Sequence, residues 1–347
     1  MDEREPSDLA PALPRGVFTL SLDFELIWGT LDLFGPERFR RACEFERAVV
    51  IDTLLTLLAE HEISATWCAL GHLFLPSCRR EGGIAHPEIV RPRHSWVHQD
   101  WFRHDPCRSE ANEPIFYGRS LLERIRACPV PQEIGSHSFS HVIFGDPGCS
   151  RESAQSELLA CVRVAREMGI VPRAFAFPRN RVGHLDLLPG HGFSCYRGPG
   201  PRWYEARSSA GGLPRLAHLA DVLAAARPAV VSPRFVREGL WNIPGSMIYF
   251  PMHGVRRFIP PPVRVRRARK GLRAAARQRK VFHLWFHPTN LADEPERMFA
   301  GLREILRTAA DLRRRGELDI EPMGALASRL DQARDEGRAL RPRVGLG

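Results

Sequence analysis

At 347 residues, with 44% apolar and 26% charged side chains, the chain has the composition of a folded globular protein and not that of a disordered or low-complexity polymer. Its formal charge of +10 favours an anionic partner such as a phosphate, a membrane surface or a nucleic acid, and says nothing about fold. No apolar run approaches the roughly 18 residues of a spanning helix, and the eight cysteines are scattered without a Cys-x-x-Cys pair, which argues against zinc knuckles and redox motifs and for reduced cytosolic thiols.

Residues 1–14, acidic and proline-bearing, read as a disordered tail, neither a signal peptide nor an amphipathic anchor. Residues 17–26 alternate strictly: Phe18, Leu20, Leu22, Phe24 and Leu26 take one face, and Thr19, Ser21, Asp23 and Glu25 the other. A period of two predicts a strand. A helical pattern over 37–61 and a strand over 63–70 follow. Residues 76–132 break the rhythm, with many Pro, Arg, His and Trp, and predict a long excursion over one end of the fold with a helix near 119–127. Beyond it come helices near 150–169, 184–189, 213–226, 262–279, 294–315 and 323–336. Strands fall at 173–177, 193–197, 229–232, 240–249, 281–287 and 318–321. Strands alternating with helices predict a parallel α/β barrel or a doubly wound sheet, here a single domain over 15–335 followed by a frayed tail over 336–347.

Three histidine pairs sit four residues apart: His94/His98, His137/His141 and His283/His287. With 14 histidines, that spacing arises easily by chance, and context must separate the pairs. His137 and His141 lie among Ser136, Ser138 and Ser140, whose hydroxyls suit the outer shell of an ion. A divalent metal needs a third ligand, and Asp23 and Glu25 supply candidates from the polar face of their strand. The same four residues could equally form a buried salt-bridge cluster. On Phe282-His-Leu-Trp-Phe-His, the rings of His283, Trp285 and His287 share one strand face, and the indole there suits stacking on a sugar. An exposed edge strand is the plainer alternative. It fits less well, because an all-parallel sheet is covered on both faces and its buried polar groups need partners.

Ser21-Leu-Asp23-Phe-Glu25, Glu133-Ile-Gly-Ser-His137-Ser-Phe-Ser-His141, Phe177-Pro-Arg179-Asn180 and His283-Leu-Trp-Phe-His287-Pro resemble, in this order, the successive motifs of the polysaccharide deacetylase superfamily. The resemblance runs from residue 17 to about 291. It implies a distorted parallel (β/α) barrel of seven strands, with the site at the C-terminal strand ends and a long insertion between the first two motifs. It also implies a metal, zinc in the first instance, held by Glu25, His137 and His141, with Asp23 as base, His287 as general acid and Arg179 orienting the base. The acids are separated by Phe24 where the commoner motif has two adjacent aspartates, which leaves the split of roles between Asp23 and Glu25 open. The chemistry fits these residues by itself. An ion lowers the pKa of water towards neutrality, a carboxylate takes the proton, and a histidine protonates the departing amine.

Trp285, Asn290, Asp100 and Trp101 are the candidate substrate contacts, with Asp105 beside them, and residues 76–132 would cap the barrel mouth. The expected activity is removal of an acetyl or other acyl group from the amide nitrogen of a sugar in a polysaccharide, a lipid-linked glycan or a nucleotide sugar. The alternatives are an amidase or deformylase acting on a small or lipid-linked amide, and an inactive glycan-binding barrel. The basic run Arg264–Lys280 reads either as a solvated outer helix or as a peripheral contact with the inner face of a membrane. No nucleic-acid motif interleaves it with aromatics, so nucleic acid is not expected.

Overall fold

The computed structural model describes residues 10–201, 227–252, 257 and 259–339. Among the described residues twelve strands form: β1 Gly16–Phe24, β2 Thr66–Ala69, β3 Arg80–Glu81, β4 Ile84–Ala85, β5 Glu133–Ser136, β6 Ala174–Ala176, β7 Cys195–Arg197, β8 Arg234–Arg237, β9 Leu240–Asn242, β10 Met247–Ile248, β11 Val281–Phe286 and β12 Leu318–Ile320. The helices are α1 Trp28–Leu31, α2 Arg40–Phe45, α3 Ile51–Glu60, α4 Arg119–Arg126, α5 Arg151–Glu167, α6 Pro261–Gln278, α7 Pro295–Arg314 and α8 Met323–Ala339. None is long and apolar enough to cross a membrane.

One curled sheet carries the fold, in the order β10-β11-β1-β2-β5-β6-β7-β9-β8, with β12 pairing β1. Every pairing in it is parallel except β8 with β9. The expected count of seven strands is therefore too low. Part of the excess comes from residues 240–249, expected as one strand, which form two: β9 on β7 and β10 on β11. One bent segment thus touches both edges of the parallel path. The rest is β8, an antiparallel edge strand at 234–237; the strand expected at 229–232 forms only a bridge between Val231 and Val281.

Both faces of β1 are buried, as a sheet covered on two sides requires. Its apolar face, with Phe18, Leu20, Leu22 and Phe24, joins the main core beneath the helices, where α6 packs on β1 and β11 and α7 packs on α6. Inside the curl a second cluster, including Val17, Cys68, Cys195 and Trp241, is closed from the N-terminal strand ends by Met323, Leu326 and Leu330 of α8. The first turn of α8 enters there. The Met323 N–H donates to Thr66 Oγ1 at 2.8 Å and the Gly324 N–H to the Glu133 carboxylate at 2.9 Å, an anion on the positive end of a helix.

The helix expected over 37–61 is interrupted by a π-helical turn, Glu46–Val50, which directs the Glu46 carboxyl inwards onto the Thr289 hydroxyl. No helix covers 184–189; a short 3-10 turn follows at Pro189–His191. The helix expected at 213–226 lies outside the described residues. Helix α8 runs to Ala339, into the segment 336–347 expected as a tail, whose remaining residues lie outside the described ones.

Candidate metal and acid–base site

The parallel register explains why residues distant in sequence meet. Thr19 pairs with His283 and Ser21 with Trp285. Continued past Leu22–Phe286, the same register sets Asp23 beside His287. On the other side Asp23 pairs with Cys68 of β2, which pairs with Gly135 of β5, two residues before His137. A period of two thus aims Asp23, His287 and His137 into the curl at the C-terminal strand ends.

His137 and His141 do not share a helical turn. Ser138 and His141 have φ of 61° and 66°, and these left-handed residues fold the loop so that both rings point inwards. Non-glycine residues at such angles cost energy and persist where the surroundings over-determine them. The surroundings are visible: Glu157 accepts the N–H groups of Phe139 and Ser140, each at 2.8 Å.

Glu25 Oε2 lies 3.0 Å from His137 Nε2 and 3.3 Å from His141 Nε2, and neither contact has hydrogen-bond geometry. The three ligand atoms sit within 4.8 Å of one another. His137 donates from Nδ1 to the Ala176 carbonyl at 2.8 Å, which leaves the Nε2 lone pair facing Glu25. Donors of this kind, buried around a common point without hydrogen bonds between them, fit a divalent ion better than a salt-bridge cluster. Room for Glu25 depends on Gly29, since a β-carbon there would lie 1.7 Å from Glu25 Oε1.

Asp23 stands beside this trio, gripped by Arg197 at 2.7 and 2.6 Å, with both side chains buried. Burial, the largest single influence, would raise its pKa; the charge and hydrogen bonds of Arg197, with His137 and His287, together outweigh it and lower the pKa. Burial likewise opposes ionisation of Glu25, but His287 and His141 hold its pKa well below the usual carboxylate range. The His141 imidazole, pushed down by burial, is raised on balance by Glu25. His287 is the most open member, with Nε2 3.4 Å from Glu25 and 3.7 Å from Asp23.

The arginine expected on Asp23 was Arg179; the guanidinium there is Arg197. Arg179, at φ 54° in a tight turn, pairs instead with buried Asp32 at 2.5 Å. Arg197 was legible from the strand reading over 193–197. It follows the inward Cys195 by two, and an inward arginine demands a counter-charge. It also donates to Ser21 Oγ at 3.0 Å and lies 4.2 Å from the Trp285 ring centre, so one indole face is already covered.

The other expected contacts divide. Trp285 is half-buried beside His287, with ring centres 6.0 Å apart. The Asn290 amide donates to the Tyr249 carbonyl at 3.4 Å. Trp101 is buried and braces the histidine loop by donating to Ser140 Oγ at 2.9 Å. Asp100 is exposed and paired with Arg91 at 2.9 Å, while Asp105 is buried against His72 and His86. Segment 76–132 nevertheless lies against the loops after β1 and β5: Trp28 donates to the Phe116 carbonyl at 2.9 Å and His94 meets Asp146 at 2.9 Å. In the basic run Arg264 and Arg267 are buried, Arg264 donating to the Phe250 and Pro251 carbonyls. Arg266, Lys270 and Arg273 are left on the surface.

Glu46, whose hydroxyl partner Thr289 sits two residues after His287, has its pKa pushed up by burial to about 8. A carboxyl raised in the folded state is charged more readily when unfolded, so stability falls as pH rises from about 4.5 to about 8. Glu46→Gln removes this titration, and its melting temperature should gain on that of the parent progressively between pH 5 and pH 9. An unchanged difference across that range would show that Glu46 ionises in the fold without cost.

No family model matches the chain, and no curated protein sequence does. Among solved structures, it is similar to a protein assigned as a polysaccharide deacetylase from Mycobacterium smegmatis (TM-score 0.58, 15% identity, 98% of this chain and 99% of that one). It is also similar to the Puue allantoinase (TM-score 0.54, 11% identity, 94% and 90%). A third likeness is to a protein assigned as a polysaccharide deacetylase from Pseudomonas aeruginosa PAO1 (TM-score 0.53, 12% identity, 93% and 91%). At these identities the likeness is one of fold: the chain shares the curled, mostly parallel sheet of those structures over nearly its whole length.

Proposed function

We propose that the chain is a divalent-metal-dependent hydrolase of the polysaccharide deacetylase superfamily, removing an acetyl or related acyl group from the amide nitrogen of a sugar. The observation that carries this reading is the convergence of Glu25, His137 and His141 beside a second carboxylate, Asp23, and a partly open imidazole, His287. Glu25, His137 and His141 would hold the ion, zinc in the first instance, which supplies Lewis-acid polarisation of a carbonyl and acidification of water. Asp23, kept ionised and fixed by Arg197, takes the proton from the attacking water. His287, the most exposed of the five, gives a proton to the leaving nitrogen. His283 cannot share that work: its ring is wholly buried between Ser21 Oγ and the Ile243 carbonyl, and burial takes its pKa down to about 3.

The half-buried indole of Trp285 beside the acid supports a sugar ring, and the +10 charge supports an anionic or lipid-linked one. A peripheral membrane contact would then run through Arg266, Lys270 and Arg273. The eight free thiols favour a reducing compartment such as the cytoplasm.

The test is acetate and formate release from a panel of N-acylated sugars by metal-loaded protein, with a cyclic ureide as contrast. Asp23→Asn should keep its metal while turnover drops by roughly 10²–10⁴. His287→Ala should slow amides far more than activated esters, whose alcohols leave unprotonated. Equal losses on both would make His287 a positioning group. Release from the ureide alone would move the activity to small cyclic amides, and failure to bind metal would end the proposal.

A further inference from the structure

A second group of ligand-type side chains lies outside this site. His72 follows β2, and Cys78, His86 and Asp105 belong to the 76–132 segment. One ligand atom from each lies within 4.8 Å of all the others, and three of the four side chains are buried. We infer that these four residues form a closed, structural metal site of the zinc type, independent of the hydrolase reading.

Unlike the first trio, these atoms are in mutual hydrogen-bond contact, and their separations also match the edges of a coordination polyhedron. His72 Nε2 and His86 Nε2 lie 3.2 and 3.0 Å from Asp105 Oδ2, and Cys78 Sγ lies 3.5 Å from Oδ2 and 3.7 Å from His72 Nε2. A tetrahedral zinc with bonds of about 2.0–2.1 Å to N and O and 2.3 Å to S has edges of about 3.3–3.6 Å. Three of the four ligands are also oriented from behind by hydrogen bonds. His72 Nδ1 donates to the Phe116 carbonyl at 3.0 Å, so its Nε2 presents a lone pair to the centre. The Tyr117 hydroxyl accepts from the Arg108 N–H at 3.0 Å, which turns its own hydrogen to Cys78 Sγ, 3.3 Å away. Asp105 Oδ1 accepts from the Cys107 N–H at 2.8 Å, leaving Oδ2 for the centre, and His86 Nδ1 lies 3.6 Å from Glu88. Backing of this kind is what metal ligands show. The charge balances too: a thiolate and a carboxylate neutralise a divalent ion, as burial requires. Four protein ligands leave no open position, so the site is structural.

The position gives the ion a task. It would fasten the 76–132 segment to the end of β2 and brace the histidine loop. Phe139, between His137 and His141, accepts the His72 backbone N–H at 2.9 Å and has its ring centre 5.2 Å from that of His86.

The experiment uses the full chain, metal analysis and cobalt(II) substitution. Wild type should hold two ions per chain and His137→Ala one. Cobalt(II) should give a near-ultraviolet thiolate-to-metal band, which Glu25, His137 and His141 cannot produce because they include no sulfur. The band should persist in His137→Ala and vanish in Cys78→Ser and Asp105→Asn. Since wild type and His137→Ala carry no change in the cluster, misfolding of the other variants leaves the test intact. A metal-free His137→Ala protein, absence of the band in wild type, or a Cys78–Cys107 disulfide would each overturn the assignment. Loss of hydrolysis with the band intact would count against the catalytic reading alone.

Discussion

His137→Ala protein should lose the ion held with Glu25 and His141, and turnover should fall on the order of 10⁴-fold or more. The magnitude follows from what leaves with the ion: several kcal/mol of transition-state charge stabilisation and the acidified water. The fold should survive, because the imidazole touches the frame through one hydrogen bond, to the Ala176 carbonyl, and Glu25 keeps His141 and His287 as neighbours. Circular dichroism close to that of the parent, with metal content reduced by one ion and no acyl release, is the expected set of results. Retained turnover with the ion lost would show that these three residues serve structure.

Arg197→Met should cost about 3–5 kcal/mol of stability, the usual result of stripping one partner from a buried ion pair. Asp23 would be left as an uncompensated carboxylate among buried groups, since its remaining neighbour His287 stands 3.7 Å away. Without the guanidinium, burial prevails and the Asp23 pKa rises, so the acid limb of the pH–rate profile should move to higher pH. Pairing the change with Asp23→Asn should recover part of the stability, because an amide needs no counter-charge. If the two substitutions simply add in urea unfolding, the pair is not the energetic unit that its geometry describes.

What the sequence made legible follows from periodicity. Strict alternation in residues 17–26 places Asp23 and Glu25 on one face, and alternation in 281–287 does the same for His283, Trp285 and His287. Parallel register then brings the two sets together, as found. Arg197 was passed over because its strand is short and the arginine beside Asn180 lies in a family-like motif, whereas tight backbone geometry turns Arg179 onto Asp32. The sequence marks segment 76–132 as an aperiodic excursion with a helix near 119–127, which forms at Arg119–Arg126, but not its internal contacts. Its apolar side chains, such as Phe102, Phe116 and Tyr117, join the core without a regular period, and its polar contacts, such as His72 with Cys78 and with Asp105, link residues that no hydrophobic period reports. The π-turn at Glu46 was hidden for a related reason: its cause is a hydroxyl 243 residues away.

The placement of α8 has a consequence for how the chain is made. Its first turn bonds to Thr66 and Glu133, the former across 257 positions, and β12 pairs with β1. While the chain is being synthesised, the strands that carry the site can emerge and pair well before anything seals their opposite end. The Cys68, Cys195 and Trp241 side chains would meanwhile face water, and the nascent barrel would be exposed to self-association until α8 leaves the ribosome. Slow elongation through residues 318–339, or a ribosome stalled before them, should therefore trap the chain as an aggregation-prone open sheet with its ligand residues already in place.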